Sequence, residues 1–365
     1  MTRYSRQTIL PEFEPNTQDL LSRGKILVVG AGALACPVLS YLTGAGIGTI
    51  GIADPDVVAL HNLHRQVLYT EDDIHLPKVD CAIQRLSKLN SEVTFNAYQF
   101  YINAENALNI AKIYDLIIDC SDNFETRYLL NDVAVLLNIP LVHASILGFE
   151  GRLSVFNVTM VNGEKSATYR DLFPEPPEDK TFNCAEAGVI GALPGIMGGM
   201  QALEAIKIIG KVGELLVNKM LFFNGLTMNS SYLNFKKSKA TQQITHLKSI
   251  EMSCTTNKST MQTVSVIELK EMLDNKSDFM LLDVREPSEY EMGSIPTSFH
   301  IPMNSVPDRF SEIPTDKTVI VQCRSGKRSA DVIAYLEQNH GHTNLKNLSG
   351  GIIAWSNEID NSVHY

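Results

Sequence analysis

No Cys-x-x-Cys pair occurs anywhere in this 365-residue sequence. Its six cysteines, Cys36, Cys81, Cys120, Cys184, Cys254 and Cys323, stand singly, which argues against a disulfide framework and against a thiolate zinc site. Any cysteine that matters is expected to act alone as a nucleophile. No apolar run reaches the length of a membrane span. Residues 1–18 are polar, with neither the apolar core of a signal peptide nor the basic amphipathic pattern of a transit helix. The chain therefore reads as soluble and cytoplasmic. Basic residues are outnumbered by acidic ones, 31 to 41, for a formal net charge of -10. That balance disfavours nucleic acid or an anionic membrane as the main partner, because phosphate-binding surfaces need clustered Lys and Arg. Internal repeats and low-complexity tracts are also missing.

What is present suits two α/β domains. A hydrophobic content of 44% over this length supports one large core and a smaller second one. From Lys25 to about Phe235, short β-branched runs alternate with longer helical stretches, the pattern of a mostly parallel sheet covered on both faces. Strands are expected at Ile26 to Val29, Thr49 to Ala53, Leu116 to Asp119 and Leu141 to Ser145. Between Lys236 and Gln262 the composition shifts to Lys, Ser, Thr, Asn and Gln, as in an exposed linker. A second alternating unit follows, with helices at Ser265 to Asp274 and Ser329 to Asn339 and strands at Phe279 to Val284 and Thr318 to Gln322. The division expected is a Rossmann-like nucleotide-binding domain over residues 1–236, a linker over 237–262 and a small α/β domain over 263–365.

Lys25-Ile-Leu-Val-Val-Gly30-Ala-Gly32-Ala33-Leu-Ala35 places a glycine turn between a strand and a helix. Gly30 and Gly32 let the backbone approach a phosphate, and the helix N-terminus beyond Ala33 offers unpaired N–H groups to an anion. At the end of the next strand, Asp54 stands at the spacing of a carboxylate that binds a ribose hydroxyl. Asn62-Leu-His-Arg65-Gln66 and Pro77-Lys78 then supply a guanidinium and an ammonium where a triphosphate needs neutralising. Asp122 falls in the loop after Asp119, at the sheet edge where ligands bind in open α/β folds, and a loop carboxylate there suits magnesium. Hydride transfer would need none of these charges. Taken one at a time, Arg65 and Lys78 also fit solvated surface, and Asp122 fits a helix N-cap.

Arg3-Tyr4-Ser5-Arg6-Gln7, Gly30-Ala-Gly32-Ala-Leu-Ala-Cys-Pro, Asn62-Leu-His-Arg65-Gln, Pro77-Lys78, Cys120-Ser-Asp122-Asn and Cys184-Ala-Glu-Ala-Gly-Val occur in one order. Together they resemble the MoeB/ThiF/HesA branch of ubiquitin-activating-like adenylyltransferases, from Arg3 to about Phe235. The resemblance implies ATP as cosubstrate, with Asp54 on the ribose, Arg65 and Lys78 on phosphates, and Asp122 on Mg2+. Arg6 would reach into the active site of a neighbouring subunit, which implies a homodimer. The partner implied is a small ubiquitin-like sulfur-carrier protein ending in Gly-Gly, as in molybdopterin or thiamine biosynthesis. One departure stands out. Members of this branch usually hold a structural zinc with two Cys-x-x-Cys pairs, whereas here Thr168-Tyr-Arg-Asp171 takes the first place and the region just after Phe235 offers only Cys254. No zinc is expected, and the stretch from Val158 to Asn183 should be held by packing or be mobile.

Two cysteines carry the remaining chemistry. Cys184 follows a Pro-rich acidic stretch and precedes a Gly-rich helical segment, where a helix N-terminus favours a thiolate. The residue alone also fits a buried small side chain; the resemblance implies a transient link to the carrier. Cys323 is delivered by Val319-Ile-Val-Gln322 into Arg324-Ser325-Gly326-Lys327-Arg328, a cationic turn before a helix. Backbone N–H groups of such a turn cradle an anion, and the cations favour the thiolate. A tyrosine-phosphatase loop would need Arg six positions after the cysteine, where Ser329 stands, so the loop fits a persulfide sulfur rather than a phosphate ester. With Leu282-Asp283-Val-Arg285 and Gly350-Gly351-Ile-Ile-Ala-Trp355, this stretch is similar to a single-domain rhodanese over roughly Thr263 to Glu358. The likeness implies a persulfide on Cys323, loaded by a sulfur donor such as a cysteine desulfurase. Asp283 and Arg285 read as a structural ion pair behind the loop. Two other readings stay open on sequence: an NAD-dependent oxidoreductase with an accessory sulfur domain, and a non-catalytic scaffold that binds the carrier.

Overall fold

The computed structural model describes residues 3–176, 188–238, 244–247 and 262–364. The chain divides into two compact units, Met1–Ser253 and Cys254–Tyr365. In the first, the strands are β1 Lys25–Val29, β2 Thr49–Ala53, β3 Thr94–Tyr98, β4 Leu116–Asp119, β5 Leu141–Leu147, β6 Glu150–Phe156, β7 Lys219–Asn224 and β8 Asn229–Asn234. Its helices are α1 Thr17–Arg23, α2 Ala35–Ala45, α3 Lys78–Leu89, α4 Ala107–Ala111, α5 Phe124–Leu137, α6 Tyr169–Leu172 and α7 Ala192–Gly210.

The eight strands form one sheet in the order β3-β2-β1-β4-β5-β6-β7-β8. β1 to β5 run parallel; β1, β2 and β4 have the unbroken apolar runs of strands covered on both faces, whereas β3, a partly exposed edge strand, was not among those expected. Val28, Ile50 and Ile118 face a cluster with Leu39 of α2 and Met197 of α7. Leu27 and Ile117 face another with Tyr128 of α5 and Tyr169 of α6. Beyond β5 the sheet turns antiparallel, adding three strands that the sequence reading did not anticipate. The reversal needs Gly148: with φ +57° it occupies the first central position of a two-residue hairpin between Leu147 and Glu150, where an L side chain would be strained.

Of the stretch from Val158 to Asn183, expected to be either packed or mobile, residues 177–183 lie outside the described residues; the described part is held at Thr168-Tyr-Arg-Asp171. Asp171 accepts from the N–H (2.7 Å) and hydroxyl (2.9 Å) of Thr168, and its other oxygen accepts the Ser238 N–H at 2.9 Å. Arg170 holds Asp132 of α5 through two bonds of 2.7 and 2.8 Å and lies over the Tyr128 ring. The Tyr169 N–H donates to Asn131 at 2.8 Å. Leu247 also packs against this side of the core. Among the described residues, no three His, Cys, Asp or Glu side chains gather as a metal site would require, and no helix is long and apolar enough to cross a membrane.

The second unit comprises β9 Thr263–Val264, α8 Val266–Asp274, β10 Phe279–Asp283, α9 Pro287–Met292, β11 Phe299–His300, α10 Val306–Arg309, β12 Thr318–Gln322, α11 Lys327–His340, β13 Leu345–Leu348 and α12 Gly351–Glu358. Its five strands are all parallel, in the order β11-β10-β12-β13-β9. Four boundaries differ from expectation, two of them by one residue where α8 starts at Val266 and α11 ends at His340. β10 ends at Asp283, one residue before Val284, and α11 starts at Lys327 rather than Ser329. The early start follows from Gly326, whose φ of +95° completes the turn so that the next residues already coil.

Removing one partner of a desolvated, doubly bonded ion pair leaves the other charge uncompensated. Arg170→Ala should therefore destabilise the protein by about 2–4 kcal/mol, read by urea unfolding followed by circular dichroism; a loss within about 0.5 kcal/mol, the range of a surface change, would show that the pair does not hold this segment.

Candidate active sites at the strand ends

The first site lies at the carboxyl ends of β1, β2 and β4. Gly30 takes φ +99°, and a Cβ there would sit 2.5 Å from the carbonyl oxygen of Cys120, so only glycine lets the turn after β1 meet the loop after β4. Asp54 is buried at the foot of this turn. One of its oxygens accepts the Ala31 N–H at 2.7 Å and the other the Asp56 N–H at 2.8 Å. Burial pushes its pKa up, with Lys78 and these N–H groups opposing. Gly32 and Ala33 follow in the same turn, ahead of α2. Lys78 is buried at the start of α3, its ammonium 2.9 Å from Asp56. Asp56 was missed by sequence reasoning; its signal was the Asp54-Pro-Asp56 spacing.

The segment with Asn62 and Arg65 is tied to the turn by Tyr69, whose hydroxyl donates to the Ala31 carbonyl at 2.8 Å. Asn62 closes its own turn by accepting the Ala59 N–H at 3.2 Å. Arg65 is partly exposed, with one guanidinium nitrogen 2.7 Å from the His61 carbonyl and 2.7 Å from His64 Nε2. A Cβ at Gly191 would lie 2.3 Å from the His64 carbonyl, which places the start of α7 against this segment.

Ser121-Asp122-Asn123 resolves the N-cap alternative. The residue that caps α5 is Asn123, which accepts the Thr126 N–H at 2.8 Å. Asp122 is exposed, two residues after Cys120, whose carbonyl faces Gly30. Behind it, Asp119 is fully buried and accepts from the N–H (2.9 Å) and hydroxyl (2.5 Å) of Ser121 and from His143 Nδ1 at 2.7 Å, with Arg127 3.8 Å away. Gln201 of α7 donates to the Asp119 carbonyl at 2.8 Å. Burial works to raise the Asp119 pKa, yet His143, Arg127 and Ser121 hold it below the ordinary value. Burial also lowers that of His143, against the pull of Asp119, so the pair is a carboxylate and a neutral imidazole. Sequence reasoning missed all of this cluster; a charged residue ending a buried strand was the available signal.

Arg6 is not brought to this site within one chain. It is exposed on an arm fixed to the far end of α2, where Gln7 donates to the Ala45 carbonyl at 2.9 Å. The eleven residues of α2 span about 16 Å. Cys184 lies outside the described residues, as does Cys254. Burial pushes the Cys36 thiol up to about 11 and also raises those of Cys81 and Cys120, which makes them poor nucleophiles.

The second site is the turn from β12 into α11. Cys323 is buried, and the Gly326 N–H donates to its sulfur at 3.2 Å. Gly351 must lack a side chain, because a Cβ would stand 2.3 Å from the Cys323 carbonyl; the Ile352 N–H bonds that carbonyl at 2.9 Å. Arg324 and Ser325 are exposed on the turn, and Lys327 and Arg328 begin α11. Arg328 makes two bonds to Glu289, at 2.6 and 2.7 Å, which raise the arginine and lower the carboxyl. Its charge is thus already matched by a carboxylate that sequence reasoning did not foresee. Asp283 and Arg285 form the expected structural pair, fully buried at 2.7 Å, with Arg285 also donating to the carbonyls of Glu289 and Gly293.

Residues 4–246 match the model of the ThiF family. The chain belongs to the ThiF family. Residues 265–358 match the rhodanese-like domain, so a sulfurtransferase fold is joined to the ThiF unit. The chain is similar to the adenylyltransferase and sulfurtransferase MOCS3 of Xenopus laevis, at 36% identity over 98% of this chain and 86% of that protein. The Danio rerio MOCS3 is 38% identical over 98% of this chain and 85% of its own length. MoeZ of Mycobacterium tuberculosis is 36% identical, over 98% of this chain and 93% of that protein. The protein is accordingly an enzyme of the adenylyltransferase and sulfurtransferase class. The crystal structure of E. coli MccB with ATP shares the fold, with a TM-score of 0.58 at 24% identity over 67% of this chain and 74% of MccB.

The buried His143 gives this ThiF unit a pH dependence. Its pKa is below the ordinary imidazole value of 6.5, so the unfolded chain takes up a proton that the folded one resists. Stability is full above about pH 6.5 and falls as the pH drops below it. Thermal unfolding across this range should show that decline in the wild type and a shallower one in His143→Gln; equal slopes would mean that His143 is not held neutral.

Proposed function

We propose that this enzyme uses ATP to adenylate the C-terminal glycine of a small ubiquitin-like sulfur-carrier protein and then delivers sulfur to the activated carboxyl from a persulfide on Cys323. In the first half the carrier carboxylate attacks the α-phosphorus, a new P–O bond forms, and pyrophosphate leaves. Asp54 at the foot of the glycine turn would hold the ribose, and Arg65 and Lys78 would meet the phosphates. Lys78 would exchange Asp56, 2.9 Å away in this structure, for phosphate oxygens. Charge accumulates on oxygen as the leaving group departs, so fixed cations contribute most of the rate. Mg2+ would offset phosphate charge at Asp122. The residue fits that ion, which takes one or two carboxylates together with phosphate oxygens.

The observation that carries this reading is the division of labour in Ser121-Asp122-Asn123. Asn123 caps the helix and Ser121 binds Asp119, while Asp122 is left exposed beside the Gly30 turn.

In the second half, the terminal sulfur of the Cys323 persulfide attacks the acyl carbon and AMP leaves, giving an acyl disulfide. A Cys184 thiolate would then attack the Cys323 sulfur. The thiocarboxylate departs and a Cys184–Cys323 disulfide remains for a cellular thiol to reduce. Arg6, exposed at the far end of α2, would complete the site of a second copy, which makes the working form a homodimer. A cysteine desulfurase is the class of donor that would load Cys323.

Carrier-dependent exchange between ATP and radiolabelled pyrophosphate, measured over a panel of purified carriers ending in Gly-Gly, tests the first half. Asp122→Asn should slow it by about a hundredfold, and full activity would remove Asp122 from the reaction. Cys323→Ala should leave exchange intact and abolish thiocarboxylate, scored by mass spectrometry of the carrier. Loss of both activities would contradict the split between the two units.

A further inference from the structure

The site where a phosphatase loop would need arginine holds a buried hydroxyl aimed at the reactive sulfur. Ser329, in the first turn of α11, is fully buried, and its Oγ lies 3.4 Å from Cys323 Sγ. The same oxygen lies 2.6 Å from Asn347 Oδ1, on β13. The orientation of that amide is determined by its other end: Asn347 Nδ2 donates to the Gly326 carbonyl at 2.9 Å, and a carbonyl can only accept. A serine hydroxyl has one proton to give. With Cys323 as a neutral thiol, the shorter contact directs that proton to Asn347. Once the sulfur is charged, a charge-assisted bond to it is about twice as strong as a neutral one.

We propose that Ser329 is a catalytic residue of the sulfur-transfer reaction, whose hydroxyl turns from Asn347 to the Cys323 thiolate. This rests on the reading that Cys323 accepts sulfur. In that loading step the thiol first releases its proton to solvent. The thiolate then attacks the terminal sulfur of a donor persulfide; the new S–S bond forms as the donor's breaks, and the donor leaves as a thiolate. Ser329 stabilises the attacking thiolate together with the Gly326 N–H, which already reaches the sulfur at 3.2 Å. Asn347 keeps the hydroxyl satisfied before ionisation and anchors the Gly326 side of the turn. The surrounding charges, Arg324 and the Arg328–Glu289 pair, are the same in every variant below, so a difference among them reads the neutral donor.

The test is alkylation of Cys323 by iodoacetamide in the full chain as a function of pH, followed by mass spectrometry of the Cys323 peptide. Ser329→Ala should move the half-maximal pH up by about one unit and slow the reaction at neutral pH about tenfold. Ser311→Ala, exposed in the same unit and outside the turn, should leave both unchanged. An unshifted profile in Ser329→Ala, with thermal unfolding like that of the wild type, would overturn the proposal; so would an equal shift in Ser311→Ala. A parallel assay loads the protein with a small-molecule persulfide, and Ser329→Ala should accept sulfur more slowly by the same factor. Failure of the wild type to take up any sulfur would instead sink the persulfide reading, and it is distinguishable because the alkylation profile does not depend on loading.

Discussion

Close approach of two backbones at Gly30 governs the whole nucleotide edge. The Cys120 carbonyl occupies the place where a side chain at residue 30 would begin, so the turn after β1 and the loop after β4 are held together at van der Waals contact. Parallel strands leave their carboxyl ends on one edge of a sheet, and this contact concentrates that edge into a site. Asp54 follows β2 and binds the turn at the Ala31 N–H, Lys78 opens α3 beside Asp56, and Asp122 lies in the β4 loop that Gly30 touches at Cys120. A larger residue would separate these groups without altering any of them.

A common device holds the loops in both units. Asp54 follows β2, Asp119 ends β4 and Asp283 ends β10. Each accepts the N–H two residues further on, at 2.8, 2.9 and 3.0 Å respectively. That bond bends the chain sharply as it leaves the sheet. The second oxygen ties the bend to something distant in two of them, the glycine turn for Asp54 and His143 for Asp119; that of Asp283 binds the Arg285 guanidinium within the bend, and Arg285 reaches on to the Glu289 and Gly293 carbonyls. A carboxylate so thoroughly bonded tolerates burial. It provides a rigid support from which the next residues, Asp122 among them, face solvent. The same kind of polar anchoring recurs at the Thr168 segment. Asp171 closes the Thr168 turn and reaches Ser238, while Arg170 clamps α5.

Local pattern made much of this legible. The glycine turn, the strand ends with Asp54 and Asp122, and the Cys323 turn each lie within a few consecutive residues, where spacing dictates geometry. The parallel strands β1, β2, β4 and β5 were readable because burial on both faces demands continuous apolar runs, and the partly exposed edge strand β3 was not. β6 to β8 were not, since one of them has every residue exposed and carries no apolar alternation. The supporting partners were also hidden. His143 stands 24 positions from Asp119, Asp56 is 22 from Lys78 and Asn347 is 18 from Ser329, and no periodicity links such pairs.

By itself, the order of residues determined the chemistry on offer: a phosphate-binding turn, a loop carboxylate, a lone thiol in a cationic turn and the α/β alternation that carries them. Those features are local, governed by φ preferences, helix ends and the two-residue period of strands. Only the folded chain decided which charges are already matched and which remain available. Arg328 and Lys78 turned out to have carboxylate partners, Asp122 was relieved of capping by its neighbour, and the Ser329 hydroxyl was set against a sulfur. The physical reason is that burial makes the worth of a charge or a hydrogen bond depend on what else is within about 4 Å, and that distance is set by packing between segments far apart in the chain.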